Sequence, residues 1–368
     1  MLTIFNKYPL LGEKLPYISL GNFPTAVDKI DNSKLLPRVS GLWVKRDDQT
    51  GSLYGGNKVR KLEFLLGEAK AKGCDSVITF GFAGSNHALA TAFYAKSLGM
   101  ECICMLMPQP ISGHVRHNLL LQLKAGSEVH FCGNHPVMLT RSIIQLIAHK
   151  KKSGRFPMVI PPGGTTPSGT VGFVNAAFEL KEQIEARVLP EPDYIYAALG
   201  TAGTAAGLAL GLKLAGLKSK VEAVLVVDER WMNKRSYRNV TTEANKFMHR
   251  IDPSVPIAEM ADDDYIVRNE FFGTEYGLFT EQGQEAVKLM QELSGIHLEG
   301  TYTGKTFAAI VADSRSGKLE GKNVLYWNTL SSADHGDIES EMDYRDLPKQ
   351  FHSIFTDEVQ PLDKEIFV

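Results

Sequence analysis

Ser76-Val-Ile-Thr-Phe80-Gly-Phe-Ala-Gly-Ser-Asn86-His-Ala-Leu-Ala-Thr-Ala-Phe-Tyr-Ala-Lys-Ser-Leu98 decides the fold class of this 368-residue chain. A short apolar run, Ser76–Phe80, is followed by a glycine-bearing turn, Gly81–Asn86, and then by an amphipathic stretch from about His87 to Leu98. That order predicts strand, turn and helix. The unit recurs on both sides. Further strands are expected at Glu101–Met107, Glu128–Phe131, Met158–Ile160, Tyr194–Leu199, Val221–Val227 and Val324–Trp327. Helices are expected at Val115–Leu123, Met138–Lys152 and Val171–Arg187. Strands this apolar, alternating with helices, call for parallel sheets covered on both faces, an α/β architecture. Pro190-Glu-Pro192 marks a hinge or loop, and Asp262-Asp-Asp264 reads as a solvated loop.

Composition bounds the function. Hydrophobic residues make up 43% of the chain and charged ones 22%, enough apolar material for two domains or one elaborated one. A net charge of −2 with scattered basic residues argues against nucleic acid or an anionic membrane as partner. The one dense basic run, His149-Lys-Lys-Lys152, closes an expected helix, where cations suit the dipole and face solvent. Lys7, Glu13 and Lys14 interrupt any signal-peptide core, and no apolar run reaches the roughly 20 residues that span a bilayer. Cys102 and Cys104 share one face of an expected strand. With Cys74 and Cys132 they read as packing thiols of a reduced, cytoplasmic protein, without the spacing of a metal site.

Four segments carry chemistry. In Tyr54-Gly-Gly-Asn-Lys58-Val-Arg-Lys61 two glycines permit a sharp turn or a close approach, and a helix begins near Lys58. Basic residues at a helix start oppose its dipole, so the run is either a solvated turn or an anion site. A lysine that loses its charge by burial becomes a nucleophile toward aldehydes. Leu199-Gly-Thr-Ala-Gly-Thr204, between a strand and a helix, offers backbone N–H groups and hydroxyls to a phosphate. A dinucleotide site is the other reading, with Asp228 as ribose ligand, although Ala202 breaks the G-x-G-x-x-G spacing. Ser85 at the start of its helix is a cap or a carboxylate contact, and His87 beside it a structural or a site residue. Finally, Phe272-Gly-Thr-Glu-Tyr276-Gly and Thr301-Tyr302-Thr303-Gly-Lys305 put tyrosines in glycine-bearing loops, and Asn328-Thr329 closes the last strand.

These segments stand in the order found in one family. The sequence resembles the fold-type II pyridoxal-phosphate enzymes of the D-cysteine desulfhydrase and 1-aminocyclopropane-1-carboxylate deaminase group. The resemblance runs from Lys45-Arg-Asp-Asp48 through Gly55-Gly-Asn-Lys58, Ser85-Asn-His87 and Pro162-Gly-Gly-Thr165 with Gly169 and Gly172. It continues through Gly200–Thr204 and Tyr276-Gly to Tyr302-Thr-Gly-Lys305. It implies two doubly wound, mostly parallel α/β domains, like the tryptophan synthase β subunit, with pyridoxal 5'-phosphate between them. Residues 61–172 would form the smaller domain, and 1–60 with 173–368 the larger. It also implies a homodimer.

By the same resemblance Lys58 is the Schiff-base lysine. Lys61 and Thr201, Ala202, Gly203 and Thr204 contact the phosphate, and Asn86 the ring hydroxyl. Ser85, Asn86, His87, Tyr276, Tyr302 and Thr303 surround the substrate. Ser85 and the tyrosines assist proton transfer, and Thr329 lies at the pyridine nitrogen. A hydroxyl there suits elimination better than transamination. Deaminases of the family carry glutamate where this chain has Thr303 and leucine where it has Thr329. Both positions point to α,β-elimination from a small β-substituted amino acid, D-cysteine foremost, giving pyruvate, ammonia and hydrogen sulfide. Cyclopropane ring-opening, or elimination from cysteate or another substituted alanine, are the alternatives. A non-catalytic cofactor-binding protein and a nicotinamide-dependent oxidoreductase are rivals from other classes. Two departures touch the pocket: His-Thr-Gly-Gly of the desulfhydrases is Asn328-Thr-Leu-Ser331 here, placing Leu330 at the pocket floor, and the loop at Phe272–Glu275 is atypical.

Overall fold

The computed structural model describes residues 2–34 and 36–364. Two sheets organise the chain. The smaller runs β5-β4-β3-β6, all parallel, from β3 (Ser76–Phe82), β4 (Glu101–Met107), β5 (Glu128–Phe131) and β6 (Met158–Ile160). The larger runs β1-β2-β10-β7-β8-β9. Its strands are β1 (Val27–Ile30), β2 (Gly41–Lys45), β7 (Tyr194–Leu199), β8 (Lys220–Leu225), β9 (Ile266–Arg268) and β10 (Asn323–Trp327), and only β1 is antiparallel to its neighbour.

Two-sided burial explains the apolar strands. On the smaller sheet Val77, Cys102, Cys104 and Leu106 enter one core, and Ile78, Ile103, Met105 and Met107 the other. Cys102 and Cys104 do share a face, with sulfurs 3.7 Å apart and unbonded. On the larger sheet Ile195, Ala197 and Leu199 pack under Phe173 and Leu208. Tyr196, Val324 and Tyr326 face Phe307 and Ile310 on the other side.

After two short N-terminal helices, α1 (Thr3–Lys7) and α2 (Pro9–Lys14), come α3 (Lys58–Ala71), α4 (Asn86–Ser97), α5 (Gly113–Ala125), α6 (His135–Ser153) and α7 (Pro167–Glu185). Then follow α8 (Gly203–Ala215), α9 (Lys234–Ile251), α10 (Glu281–Ser294) and α11 (Thr303–Arg315). Several helices begin before their first apolar residue because a cap sets the start. Ser112 accepts from the Val115 amide at 3.2 Å, Asn134 from Val137 at 3.0 Å and Thr166 from Gly169 at 2.9 Å. Strand β3 continues to Phe82, two residues beyond the expected end, and β8 stops at Leu225. At the other end of α7, Arg187 takes φ +60 and the helix has stopped at Glu185.

One charged segment departs from expectation, and a second, Asp262–Asp264, is solvated as expected. His149 is not on the solvated face. It is 6% exposed, with Nε2 2.7 Å from Ser76 Oγ, and only the three lysines after it are exposed. Asp262–Asp264 is a short 3-10 turn tied by ion pairs, Asp262 to Lys234 and Arg238, Asp264 to Lys220.

A buried ionic cluster locks α3 to α7 and to the ends of β2 and β10. Arg60 donates to both oxygens of Asp47 (2.7 and 2.8 Å) and of Glu179 (2.8 and 3.0 Å). Lys45 meets Glu179 at 2.6 Å, and the Trp327 indole donates to Asp47 at 2.7 Å. Burial works against these charges, yet Asp47 and Glu179 hold Arg60 more firmly protonated, and Arg60 with Lys45 pulls Glu179 down to about 2.

Candidate active site

The carboxyl ends of β3, β7 and β10 lead into one cleft of about 740 Å³ between the sheets, where open α/β folds place ligands. The structure brings to it every residue singled out in the sequence: Lys58, Lys61, Ser85, Asn86, His87, Thr201, Ala202, Gly203, Thr204, Tyr276, Tyr302, Thr303 and Thr329.

Lys58 starts α3 from a turn that only glycine fits. The Gly55 amide donates to Ser331 Oγ (2.7 Å) and the Asn57 amide to the Thr329 carbonyl (3.2 Å). A Cβ on Gly55 would lie 2.0 Å from the Asp48 carbonyl oxygen. One on Gly56, at φ +85, would lie 2.7 Å from that of Thr329. The departure at Asn328–Ser331 is therefore the seat of the lysine turn, and Leu330, 7% exposed, lines the cleft as expected. Burial lowers the Lys58 amine to about 8, and among the described residues no ion pair opposes that.

One end of the cleft suits a phosphate. Helix α8 starts after Ala202, which takes φ +67, and no side chain caps its first turn. Its amides therefore face the cleft unpaired by a cap. Lys61, 1% exposed and pushed well down by burial and then by Lys58, donates to the Gly163 carbonyl at 3.0 Å. A Cβ on Gly203 would stand 2.7 Å from the Lys61 amine, so glycine keeps that approach open. Thr165 and Thr201 bond each other at 2.8 Å, and Asn57 donates to Thr204 at 2.9 Å. An uncapped helix start beside the amines of buried Lys61 and half-buried Lys58 fits a dianion.

The opposite wall is α4. Ser85 caps it, accepting from the Ala88 amide at 3.2 Å. Asn86 Oδ1 takes hydrogen bonds from Tyr54 (2.9 Å) and Asn118 (2.8 Å) and lies 3.0 Å from His114 Nε2. With its carbonyl saturated, Asn86 offers its amide to the cleft. His87 Nε2 pairs with Thr79 Oγ1 at 3.1 Å; burial, then Lys58 and Lys61, keeps the ring neutral.

Tyr276 and Tyr302 share a short hydroxyl hydrogen bond, and Tyr276 stacks on Phe82 with ring centroids 4.2 Å apart. Burial holds both phenols above their usual range, so they are protonated at neutral pH. Thr303 lines the cleft, but its hydroxyl is engaged by the Glu299 backbone at 2.8 and 3.2 Å.

Some residues escaped the sequence reading. The Glu299 carboxylate accepts the amides of Thr301, Tyr302 and Thr303 at 2.7 to 2.9 Å, so it caps the tyrosine-bearing turn. An acidic residue just before a helix start is a readable signal. His114 and Asn118, four apart on α5, share a face and both serve Asn86. Asp228 sits at the rim, bonded to Arg230 at 2.7 Å.

A model of the pyridoxal-phosphate dependent enzyme family matches residues 18–329. A D-cysteine desulfhydrase of Klebsiella pneumoniae is 32% identical over 310 residues, covering 81% of this chain and 88% of its own. A Pyrococcus horikoshii protein, provisionally named a 1-aminocyclopropane-1-carboxylate deaminase, is 34% identical over 324 residues, covering 86% and 92%. The crystal structure of an ACC deaminase homologue superposes with a TM-score of 0.75 at 31% identity, over 93% of this chain and 98% of that one.

Proposed function

This chain belongs to the family of pyridoxal-phosphate-dependent enzymes, and from that premise we propose that it eliminates the β-substituent of a small amino acid, D-cysteine foremost. The products are pyruvate and ammonia, with hydrogen sulfide from D-cysteine. One observation carries the reading: the partly neutralised amine of Lys58 faces the cleft between a phosphate-suited loop and the Asn86 amide. Bound pyridoxal phosphate supplies an electron-accepting ring for negative charge at the substrate α-carbon.

The residues divide the remaining work. Lys61 and the Thr201–Thr204 turn would hold the phosphate, Asn86 the ring hydroxyl and Lys58 the aldehyde carbon. With a pKa near 8 Lys58 is matched to taking up the α-proton. Ser85, with Asn86 and His87 at the start of α4, receives the substrate carboxylate. Tyr276 and Tyr302, kept protonated, donate to the departing sulfur, with Thr303 behind them. Thr329 would set a hydroxyl against the ring nitrogen, where a carboxylate would protonate it. The archaeal and crystallographic relatives named for the deaminase favour ring-opening as a second reading, against which stand Thr303 and Thr329.

The same reading takes 61–172 as a smaller domain and 1–60 with 173–368 as a larger one; the two separate sheets support a division of this kind, but Ile338, Leu347, Phe351 and Ile354 pack in the smaller sheet's core and correct the boundary there. It takes the working form as a cytoplasmic homodimer, and four free thiols suit a reducing compartment. No helix among the described residues is long and apolar enough to cross a membrane.

Keto-acid release should be measured with D- and L-cysteine, cysteate and aminocyclopropane carboxylate. The highest kcat/KM is expected with D-cysteine. A higher value with the cyclopropane would overturn the elimination reading.

A further inference from the structure

The chain after β10 does not stay with the larger sheet. Residues 330–364 cross to the smaller one, where Ile338, Leu347, Phe351 and Ile354 are buried in the core that also holds Leu119 and Leu120 of α5. Arg116 of α5 grips this strap through the Ile354 carbonyl at 2.8 Å. At its far end the Gln360 amide donates to the Ile111 carbonyl at 2.9 Å, and Asp363 accepts the Gly113 amide at 2.6 Å.

The Gln360 side chain then turns the other way. Its Oε1 accepts the Phe279 amide at 2.7 Å and its Nε2 donates to the Gly277 carbonyl at 3.0 Å. Those two groups bracket the short turn that directly follows Tyr276. Gln360 is only 9% exposed, so both bonds are sheltered from water. Gly277, at φ +84, lies against Gln109 and Pro110, which a Cβ would approach to 3.3 Å. Tyr276 itself touches both halves of the molecule, stacking on Phe82 of β3 and bonding Tyr302 ahead of α11.

We propose that Gln360 is a positioning residue. By binding both sides of the 277–279 turn from a strap anchored on the smaller sheet, it fixes the Tyr276 hydroxyl against Tyr302 over the cleft. The turnover consequence rests on the elimination reading; the structural consequence does not. A misplacement of about 1 Å at a reacting group is worth on the order of 100-fold in rate. Gln360→Met keeps the size of the side chain and removes both hydrogen bonds.

The test uses the holoenzyme in a cycle of wild type, Gln360→Met, Tyr276→Phe and the double variant. Gln360→Met should lower kcat roughly 10- to 100-fold with KM changed less than about threefold. It should leave the cofactor's lysine-bound absorbance band in place. The double variant should be no slower than Tyr276→Phe alone. Multiplying effects, or equal loss of the band, would make Gln360 a merely structural residue and overturn the proposal. Hydrogen exchange supplies a readout that needs no substrate. Amides 277–279 should exchange at least about tenfold faster in Gln360→Met, while those of α10 are unchanged. Unchanged exchange at 277–279 overturns the proposal even if no substrate is found, whereas inactive wild type with the exchange effect present overturns only the elimination reading. Gln360→Glu keeps an acceptor for Phe279 and loses the donor to Gly277, so it should fall between; it serves if the methionine variant does not fold.

Discussion

Lys58 and Arg60 leave the same first turn of α3 in opposite directions and meet opposite surroundings. Arg60 enters the cluster where four carboxylate oxygens, two from Asp47 and two from Glu179, accept its hydrogen bonds. Lys58 enters a cleft where burial alone acts on its amine and lowers it to about 8. The protein satisfies fully what it uses to hold α3 in place and leaves the Lys58 amine, which lines the cleft, without an ion-pair partner among the described residues. Placement and chemistry are assigned to neighbouring residues of one turn, and the rigidity of the first serves the second.

The sharpest way to break this contrast is to exchange the expected losses. Lys58→Ala should abolish keto-acid release, by more than about 10³-fold. It should not destabilise the cofactor-free protein in urea unfolding at neutral pH, because no partner is orphaned and the cost of charging a buried amine is removed. Comparable residual turnover would remove Lys58 from the chemistry. Arg60→Met should do the reverse, costing about 3–5 kcal/mol because Asp47 and Glu179 lose their common partner. Its cofactor-loaded, still-folded fraction should keep turnover within about tenfold. Since Glu179 sits near 2, below the usual glutamate value of about 4.3, its contribution is present above that value and is lost as the pH falls toward 2.

Smaller effects sharpen the cleft side. Lys61→Met removes one charge-assisted contact, so pyridoxal phosphate should bind roughly 10- to 100-fold more weakly in a fluorescence titration. If affinity is unchanged, the phosphate lies elsewhere. The Lys58 amine at about 8 lies below the unfolded lysine value of about 10.4, so between them the unfolded chain binds more protons. Stability of the cofactor-free protein should therefore rise as pH increases from 8 to 10, and Lys58→Ala should lose that rise. Ala202→Gly is the mildest case. Relief of the left-handed backbone should offset the added freedom of the unfolded chain, leaving melting and cofactor affinity nearly unchanged, within about 1 kcal/mol.

The sequence made one side of this contrast far more readable than the other. Lys58, the 200–204 turn, Ser85 with Asn86 and the two tyrosines are local motifs, and all of them converge on the cleft. The inner parallel strands β3, β4, β7, β8 and β10 were legible because burial on both faces leaves a continuous apolar run, whereas the parallel edge strand β9, half-buried throughout, was missed. Strands β1 and β2 were not legible either, since β1 is a part-exposed edge and β2 ends in the charged residues of the cluster. Helices α9 and α10 were missed too, although each starts at a side-chain cap, Asn233 and Thr280. The Asp47–Arg60–Glu179 partnership could not be read at all, because its members are 13 and 119 residues apart and each alone looks like a surface charge. Glu299 and Gln360 escaped for a related reason: what they do is set by which backbone groups the fold brings to them.

The order of strands in the larger sheet has a consequence for synthesis. Strand β10 lies between β2 and β7, so the hairpin of β1 and β2 has no place in the sheet until residues 323–327 have left the ribosome. The same strand delivers Trp327 to Asp47, and the run after it seats Gly55, a bond spanning 276 residues. The smaller sheet can begin to form early from its local parallel units, but the lysine turn is completed only by a segment 276 residues further along the chain. A nascent chain stalled before about residue 320 should therefore remain unable to retain the cofactor, however well its smaller sheet has folded.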